Sequence, residues 1–342
     1  MHVAKSGRTT GLTCGDISAI AVDISVDYYR NCAETRPYLT KTFANQVAIS
    51  GNRFSDAGDS GALVVNAANA EPVALYFAGG TDAAGVGQGV ANPVGDVLSE
   101  LSTQVGNGSS FSFVGAADHA VSCLSYGDST VAAAQSRALS DSEIARVQQA
   151  LTAARTLINP SAGILGVAMG KSSDRPGEAA VIVYVNDGAQ NSVPQTIGDV
   201  RTLVIPASAR AVEFGSAPMA NSIAGAAALD TAELNRALTV KRQMARALMR
   251  RTPAFFGVGV GQSLDDPREA ALVIYVDRSR IPAELPAAIG GLRTRYVVMN
   301  RMHVTRSFAV PSTGERHCMP RVAAARDGDL DSLQKPRSLG LF

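Results

Sequence analysis

A single serine, Ser60, stands where the chain changes from a polar, glycine-rich loop to an apolar strand, within Gly58-Asp-Ser-Gly61. A serine hydroxyl becomes an effective nucleophile when a base takes its proton and N–H groups stabilise the charge on the attacked carbonyl oxygen. Gly58 allows a tight turn that points its own N–H and that of Ser60 into one hollow, and Gly61 leaves the far side open. These residues predict attack by Ser60 on a carbonyl, although the same tetrapeptide is also typical of an ordinary turn.

Three other segments accompany this motif in a fixed order. Lys5-Ser-Gly-Arg-Thr-Thr-Gly-Leu-Thr13 precedes it, and Pro72-Val-Ala-Leu-Tyr-Phe-Ala-Gly-Gly80 and Ala91-Asn-Pro93 follow it. Together they resemble the second β-barrel of trypsin-like serine peptidases, and in particular bacterial proteins of the plant narrow-leaf type. The resemblance covers about residues 3–102.

This resemblance implies a role for each matching residue. Ser60 would be the nucleophile, and the N–H groups of Gly58 and Ser60 would form the oxyanion hole. The strand around Phe77, Ala78 and Gly79 would pair with an extended peptide or protein substrate by strand addition. The alternative for that strand is an ordinary buried β-strand. We expect no cofactor and no metal.

The chain departs from the family in its histidines. In trypsin-like enzymes, the histidine and aspartate of the triad lie before the serine, on a first barrel. Here His2 is too close to the start to follow such a barrel, and His119, His303 and His317 lie beyond the peptidase-like region. We therefore expect a homologue that lacks the His/Asp barrel and is inactive as this chain alone. Three explanations stay open: a truncated or misplaced start, a first barrel supplied by a separate chain, or a degenerate relative that only binds.

Composition limits the remaining functional classes. The chain has 342 residues with a formal net charge of +1, from 31 basic and 30 acidic residues, which gives no indication of nucleic-acid binding. It has no run of 18 apolar residues, so we expect no membrane segment. No signal peptide is visible, which predicts a cytoplasmic protein as numbered. A displaced start would have removed such a signal, so the compartment stays open.

The four cysteines have no spacing that indicates a metal site. Cys14, Cys32, Cys123 and Cys318 include no Cys-x-x-Cys pair and no histidine at zinc spacing, so the sequence predicts no structural zinc. Cys14 and Cys32 lie in the same predicted hairpin and could form a disulfide. The alternative is two free thiols.

The segments that must position Ser60 have the pattern of a β-structure. Residues 12–26 alternate apolar and polar side chains, which predicts a strand with one solvated face. Residues 28–42 are polar and predict a loop, and residues 43–50 predict a strand that leads into the serine loop. Apolar residues at helical spacing in 94–101 predict a short helix.

The second half of the chain contains a duplicated unit. The segment from Gly166 to Val185 matches the segment from Gly257 to Val276, each residue lying 91 positions after its counterpart. A capping box at Ser140 and Glu143, and a second at Asp230 and Glu233, predict a helix before each copy. The glycines of the second copy lie within a strand pattern, so we do not interpret them as a phosphate loop.

The sequence therefore predicts a mixed fold: the all-β half of a chymotrypsin-like double barrel, followed by two duplicated α+β modules. The predicted boundaries are 1–102 for the nucleophile barrel, 103–138 for a linker, 139–215 for module 1, 229–310 for module 2 and 311–342 for a C-terminal tail. The function that fits best is a trypsin-like serine endopeptidase homologue. The alternative is a non-catalytic binding or assembly protein built on the duplicated modules. Exposed apolar surface on a half-barrel predicts a homo-oligomer or a first-barrel partner.

Overall fold

Six antiparallel strands at the start of the chain close into a barrel. The structure is a computed structural model that describes residues 1–30, 34–83, 85–105, 110–113, 118–123, 139–175, 177–186, 189–209, 212 and 229–305. The barrel strands are β1 (His2–Gly7), β2 (Gly11–Tyr29), β3 (Leu39–Gly51), β4 (Leu63–Asn66), β5 (Pro72–Thr81) and β6 (Gly87–Pro93). They pair in the order β1-β4-β5-β6-β3-β2, and β2 pairs back onto β1, which closes the barrel.

The interior of the barrel is filled by apolar side chains that alternate with outward-facing residues along each strand. Phe54, from the serine loop, is fully buried and packs edge-on against Tyr76 of β5, with 6.3 Å between ring centroids. The other core members are Val3, Val47, Ile49, Val64, Ala74 and Ala91. The loop that carries Ser60 is thus fixed to the barrel core through Phe54.

The second and third strands are longer than the sequence pattern predicted. Residues 28–42 were expected to be a loop, but β2 continues to Tyr29 and β3 begins at Leu39. Cross-strand hydrogen bonds explain the difference: the hydroxyl of Thr40 donates to Asp27 at 2.6 Å, and the hydroxyls of Ser25 and Thr42 lie 2.9 Å apart. The predicted helix near residue 94 is confirmed as α1 (Val94–Val105).

The duplicated halves have the same topology. Module 1 contains α2 (Asp141–Ala154) and the strands β7 (Ile164–Lys171), β8 (Ala179–Val185), β9 (Thr196–Ile197) and β10 (Val200–Pro206). Module 2 contains α3 (Thr231–Arg251) and the strands β11 (Phe255–Gln262), β12 (Ala270–Asp277), β13 (Ala288–Ile289) and β14 (Leu292–Met299). The strand orders β7-β8-β10-β9 and β11-β12-β14-β13 are equivalent, so the mixed fold of a β-barrel and two α+β modules is confirmed.

The two module helices begin differently. Ser140 caps α2 as predicted, because its hydroxyl accepts the backbone N–H of Glu143 at 3.2 Å. The capping box predicted at Asp230 is wrong, because the Asp230 side chain makes no cap hydrogen bond. Glu233 instead binds Arg236 and accepts the backbone N–H of Ala270, which ties α3 to the start of β12.

Module 2 is joined to the barrel in one sheet. Strand β11 pairs antiparallel with β2, and a further strand, β15 (His303–Thr305), pairs parallel with β2. A Cβ atom on Gly259 of β11 would lie within 2.6 Å of the Val22 side chain, so glycine is required for this close approach. Lys241 of α3 adds an ion pair with Asp23 at 2.6 Å. The glycine pattern of the second copy therefore serves strand packing.

The two modules bind one another through matching residues. The hydroxyl of Ser172 donates to Asp265, and the hydroxyl of Ser263 donates to Asp174, both at 2.6 Å. These serines are counterparts in the two copies, as are the aspartates, so the contacts are related by a pseudo-two-fold axis.

Two buried arginines, one in each module, form a second pair of reciprocal contacts. The guanidinium of Arg201 donates to the backbone oxygen of Thr294 at 2.7 Å, and that of Arg293 donates to the backbone oxygen of Thr202 at 2.9 Å. Each arginine also donates to the hydroxyl of the same threonine. The matched faces of the duplicated units are thus buried against each other within one chain.

The disulfide of the barrel differs from the predicted one. Cys14 pairs with Cys123, while Cys32 lies outside the described residues, so the expected pairing of Cys14 with Cys32 is wrong. Residues 118–123 run along the barrel because the N–H groups of Asp118 and Val121 donate to the backbone oxygens of Asn69 and Ala67. The spacing of the cysteines in the sequence did not indicate that residues 118–123 dock on the barrel.

Most of the predicted linker and the whole predicted tail, residues 311–342, lie outside the described residues. Within the described ranges, no helix combines the length and the apolar character needed to cross a bilayer.

Candidate functional site

Two glycines shape the turn that carries Ser60. Gly58 has φ of +100° and Gly61 has φ of +92°, a region that residues with a Cβ atom rarely adopt. A Cβ atom on Gly58 would overlap the guanidinium group of Arg8, whereas one on Gly61 would meet nothing within 4 Å. The turn is therefore closed on the side of Gly58 and open on the side of Gly61.

The backbone donors of this turn alternate between paired and free. The N–H of Asp59 donates to the backbone oxygen of Asp56 at 3.1 Å, and that of Gly61 donates to the backbone oxygen of Tyr76 at 2.8 Å. The N–H groups of Gly58 and Ser60 have no acceptor among the described residues, and both residues are exposed. An oxyanion hole needs two free donors of this kind beside the nucleophile.

Ser60 has no base beside it in the described part of the chain. Its hydroxyl donates to the backbone oxygen of Phe77 at 3.1 Å, and a carbonyl oxygen cannot take up the proton of a nucleophile. Among the histidines, His2 binds Asp16 at 3.0 Å and His303 lies edge-on to the ring of Tyr29. In the residues described, no hydrogen bond links Ser60 to an imidazole.

A buried ion pair holds the serine turn in place. Asp59, next to Ser60, accepts the ammonium group of Lys5 at 2.9 Å and the hydroxyl of Thr10 at 2.7 Å. Its other oxygen accepts the backbone N–H groups of Thr9 and Thr10. Burial acts to raise the pKa of Asp59, but the hydrogen bonds from Thr10, Lys5 and the backbone outweigh it and hold this pKa well below the usual range.

Two aromatic rings lie close to the ammonium group of Lys5. Its ammonium nitrogen lies 5.3 Å from the ring centroid of Phe54 and 5.9 Å from that of Tyr76. Burial raises the pKa of Tyr76 to about 12, so this ring stays neutral next to the cation. Sequence reasoning missed the pair, because Lys5 and Asp59 are 54 residues apart. The sequence offered one signal: the segment before the serine motif that resembles the peptidase family contains a lysine and two threonines.

The predicted substrate strand lies beside Ser60 on β5. Phe77 falls at a register shift between β5 and β6, and its ring packs against Phe43 with 5.0 Å between centroids. Ala78 belongs to the core between the barrel and module 2. A Cβ atom on Gly79 would lie 2.6 Å from the Tyr76 hydroxyl oxygen. The side chains of Phe77 and Ala78 therefore serve packing, which leaves the backbone for any contact with a peptide.

One backbone edge of this strand is open. Strand β4 pairs with β5 from Pro72 to Leu75, and the serine loop continues the contact at Tyr76. Beyond Tyr76, residues 78–80 have no strand partner on the β4 side within the described ranges. At the far end, Asp82 forms a bridge with Met299 of module 2. The geometry brings the open edge, Ser60 and the free N–H groups to one surface.

No family description matches the chain, and no curated protein matches it either. Among solved structures, the chain is similar to a glutamic-acid-specific serine protease described as using a histidine triad in substrate binding. The identity is 20% and the TM-score is 0.23, with 30% of this chain and 46% of the protease chain covered. The chain thus spans less than half of that protease, and a likeness at this score does not assign a function.

Proposed function

We propose that residues 1–102 form the nucleophile-bearing barrel of a trypsin-like serine endopeptidase, and that the chain alone does not turn over peptides efficiently. The observation that carries the proposal is the pair of free N–H groups, on Gly58 and Ser60, beside an exposed serine hydroxyl. In the proposed reaction, the Ser60 oxygen attacks a peptide carbonyl and the resulting oxyanion is stabilised by these two N–H groups.

The histidine and the aspartate would be supplied by polypeptide other than the described residues. In the resembling enzymes, a first barrel supplies them. The substrate would be an extended peptide or protein segment that pairs with the open edge at Ala78–Gly80. Without a base, binding and the oxyanion hole account for a residual acceleration of about 10³–10⁴-fold over water. A residual acceleration of this size would distinguish an incomplete enzyme from a protein that does not catalyse the reaction.

The alternative, a binding or assembly protein built on the modules, would have to use other surfaces than the duplicated faces. Asp174, Asp265, Arg201 and Arg293 already bind residues of the opposite module within the chain. An assembly function would therefore depend on the outer faces of the two modules.

Labelling with a fluorophosphonate tests the proposal. We expect no stoichiometric labelling of the chain alone, and a slow modification that maps to Ser60 when free imidazole is added as a base. Ser60→Ala should abolish the modification, whereas Ser6→Ala, at an exposed serine of β1, should leave it unchanged. Gly58→Ala keeps the N–H but places a Cβ against Arg8 and strains the turn, so it should displace this donor and slow the modification, by at most the ~10²–10³-fold that loss of one oxyanion donor costs.

Two results would contradict the proposal. Stoichiometric labelling without imidazole would show that this chain contains its own base. Labelling that persists in Ser60→Ala would show that Ser60 is not the nucleophile.

A further inference from the structure

Three residues far apart in sequence bring metal-binding atoms together at one end of the barrel. An imidazole nitrogen of His2 and the sulfur atoms of Cys14 and Cys123 all lie within 4.8 Å of one another. Thiolate sulfur and imidazole nitrogen are the preferred ligands of zinc. Tetrahedral coordination with Zn–S bonds of about 2.3 Å holds two sulfurs about 3.8 Å apart. The two sulfurs are joined in a disulfide, so they can take up this spacing only after the disulfide is opened.

A carboxylate positions the imidazole of the cluster. The Nδ1 atom of His2 lies 3.0 Å from the carboxylate of Asp16, which leaves Nε2 as the nitrogen able to bind a metal. A carboxylate on the second nitrogen is the usual support of a zinc-bound histidine, because it fixes the ring and increases its basicity. Asp16 and His2 face each other across β1 and β2, where residues 2 and 16 are register partners. The orientation of the ring is therefore built into the barrel.

We propose that, in the reduced chain, Cys14, Cys123 and His2 bind one zinc ion, with Asp16 as the carboxylate that orients His2. A thiol reductant supplies two electrons and two protons to the Cys14–Cys123 disulfide and is itself oxidised to a disulfide. The zinc ion then displaces the two thiol protons and binds both thiolates. Water completes the coordination, because three protein ligands leave one tetrahedral position open.

The site is accessible to an ion from solvent. The side chain of His2 is 56% exposed, and both cysteines are partly exposed. Residues 118–123 are held to the barrel by the disulfide and by the bonds to Asn69 and Ala67. Zinc would replace the covalent link by a metal link, so this segment stays attached in both redox states.

Cobalt titration of the whole chain, with Cys32→Ser and Cys318→Ser in the background, tests the site. After reduction with a phosphine, we expect one equivalent of Co²⁺ to give tetrahedral thiolate spectra that Zn²⁺ abolishes by displacement. The oxidised chain should give none. Cys123→Ser should abolish binding, and Asp16→Asn should weaken it by about 10–100-fold.

His2→Ala separates a built site from adventitious binding. His2 is exposed, so this variant should fold like the wild type by circular dichroism, yet bind the ion at least about 10-fold more weakly. His303→Ala, at another exposed histidine, should bind like the wild type. Failure of the reduced chain to bind cobalt, or equal binding by His2→Ala and the wild type, would overturn the proposal. This outcome is independent of the chemistry proposed for Ser60.

Discussion

The residue that organises the serine turn is Asp59. Its carboxylate accepts hydrogen bonds from Lys5, Thr10 and two backbone N–H groups, which hold the turn next to Ser60. The side chains of Lys5 and Asp59 are both fully buried. A buried ion pair contributes little relative to apolar packing, but removal of one partner leaves an uncompensated charge.

Replacement of the cation tests this pair. Lys5→Met should lower the free energy of unfolding by about 3–5 kcal/mol, because Asp59 would remain buried without a counter-charge. The matched control is Lys41→Met, at an exposed lysine over the ring of Phe43, which should change the free energy by less than about 0.5 kcal/mol. Urea denaturation measures both. Equal effects of the two substitutions would contradict the role of the buried pair.

The lowered pKa of Asp59 predicts a stability that depends on pH. In the unfolded chain an aspartate has a pKa of about 3.9, and the folded value lies below it. The contribution of Asp59 is therefore present above about pH 4 and is lost as the pH falls through the folded pKa. Denaturation between pH 6 and pH 2 should show a smaller acid loss in Asp59→Asn than in the wild type. An unchanged slope in this variant would refute the assignment.

At the scale of elements, the duplicated first strands have taken different partners. Strand β11 of module 2 packs against β2, where Gly259 admits Val22, while the counterpart of Gly259 in module 1 is Ala168 on β7. Within the described residues, β7 pairs with β8 and with no strand of the barrel. At this position, the copy that joins the barrel has glycine and the other copy has alanine.

This difference predicts unequal responses to the same side chain. Gly259→Val should cost about 1–3 kcal/mol or more, because the added atoms would overpack the contact with Val22. Ala168→Val, at the matched position of module 1, should change stability by less than about 1 kcal/mol. Thermal unfolding of the two variants gives the comparison. A larger loss in Ala168→Val than in Gly259→Val would show that β11 does not need glycine here.

Sequence patterns predicted elements better than contacts between elements. The alternation of residues 12–26 and the repeated segments depend on local periodicity, and the strands and modules that they predicted are present. The Cys14–Cys123 pairing and the Lys5–Asp59 pair depend on how distant segments dock, which periodicity does not record. For the candidate site, the sequence indicated Ser60 and its glycines, but the residues that support the turn became visible only in the folded chain.

At the scale of the whole molecule, the barrel and module 2 share a sheet, and module 1 is attached through the reciprocal contacts. Asp265 accepts the hydroxyl of Ser172 and the N–H groups of Ser173 and Asp174. Burial, together with the charge of Asp174, raises the pKa of Asp265. Besides the buried arginines, the junction therefore contains two buried carboxylates held by donors from the opposite module.

Removal of either carboxylate should loosen module 1. Asp265→Ala and Asp174→Ala should each cost about 1–3 kcal/mol for each donor left without an acceptor, and by symmetry their effects should be similar. The cost of the double variant should differ from the sum of the two single losses, because the two residues belong to one network. Asp199→Ala, at an exposed aspartate, is the control. Urea unfolding and the rate of proteolysis between the modules measure the effect, and strictly additive losses would contradict a shared network.

The reciprocal junction also has a bearing on ancestry. Contacts that occur twice, with the roles of the two copies exchanged, have the form of a symmetric homodimer interface, here enclosed in one polypeptide. A forerunner with a single copy would have needed a second molecule to satisfy Ser172, Asp174 and Arg201. In the present chain the two copies are tethered, so they meet at a high effective concentration, and the glycine-containing strand of one copy packs against the barrel.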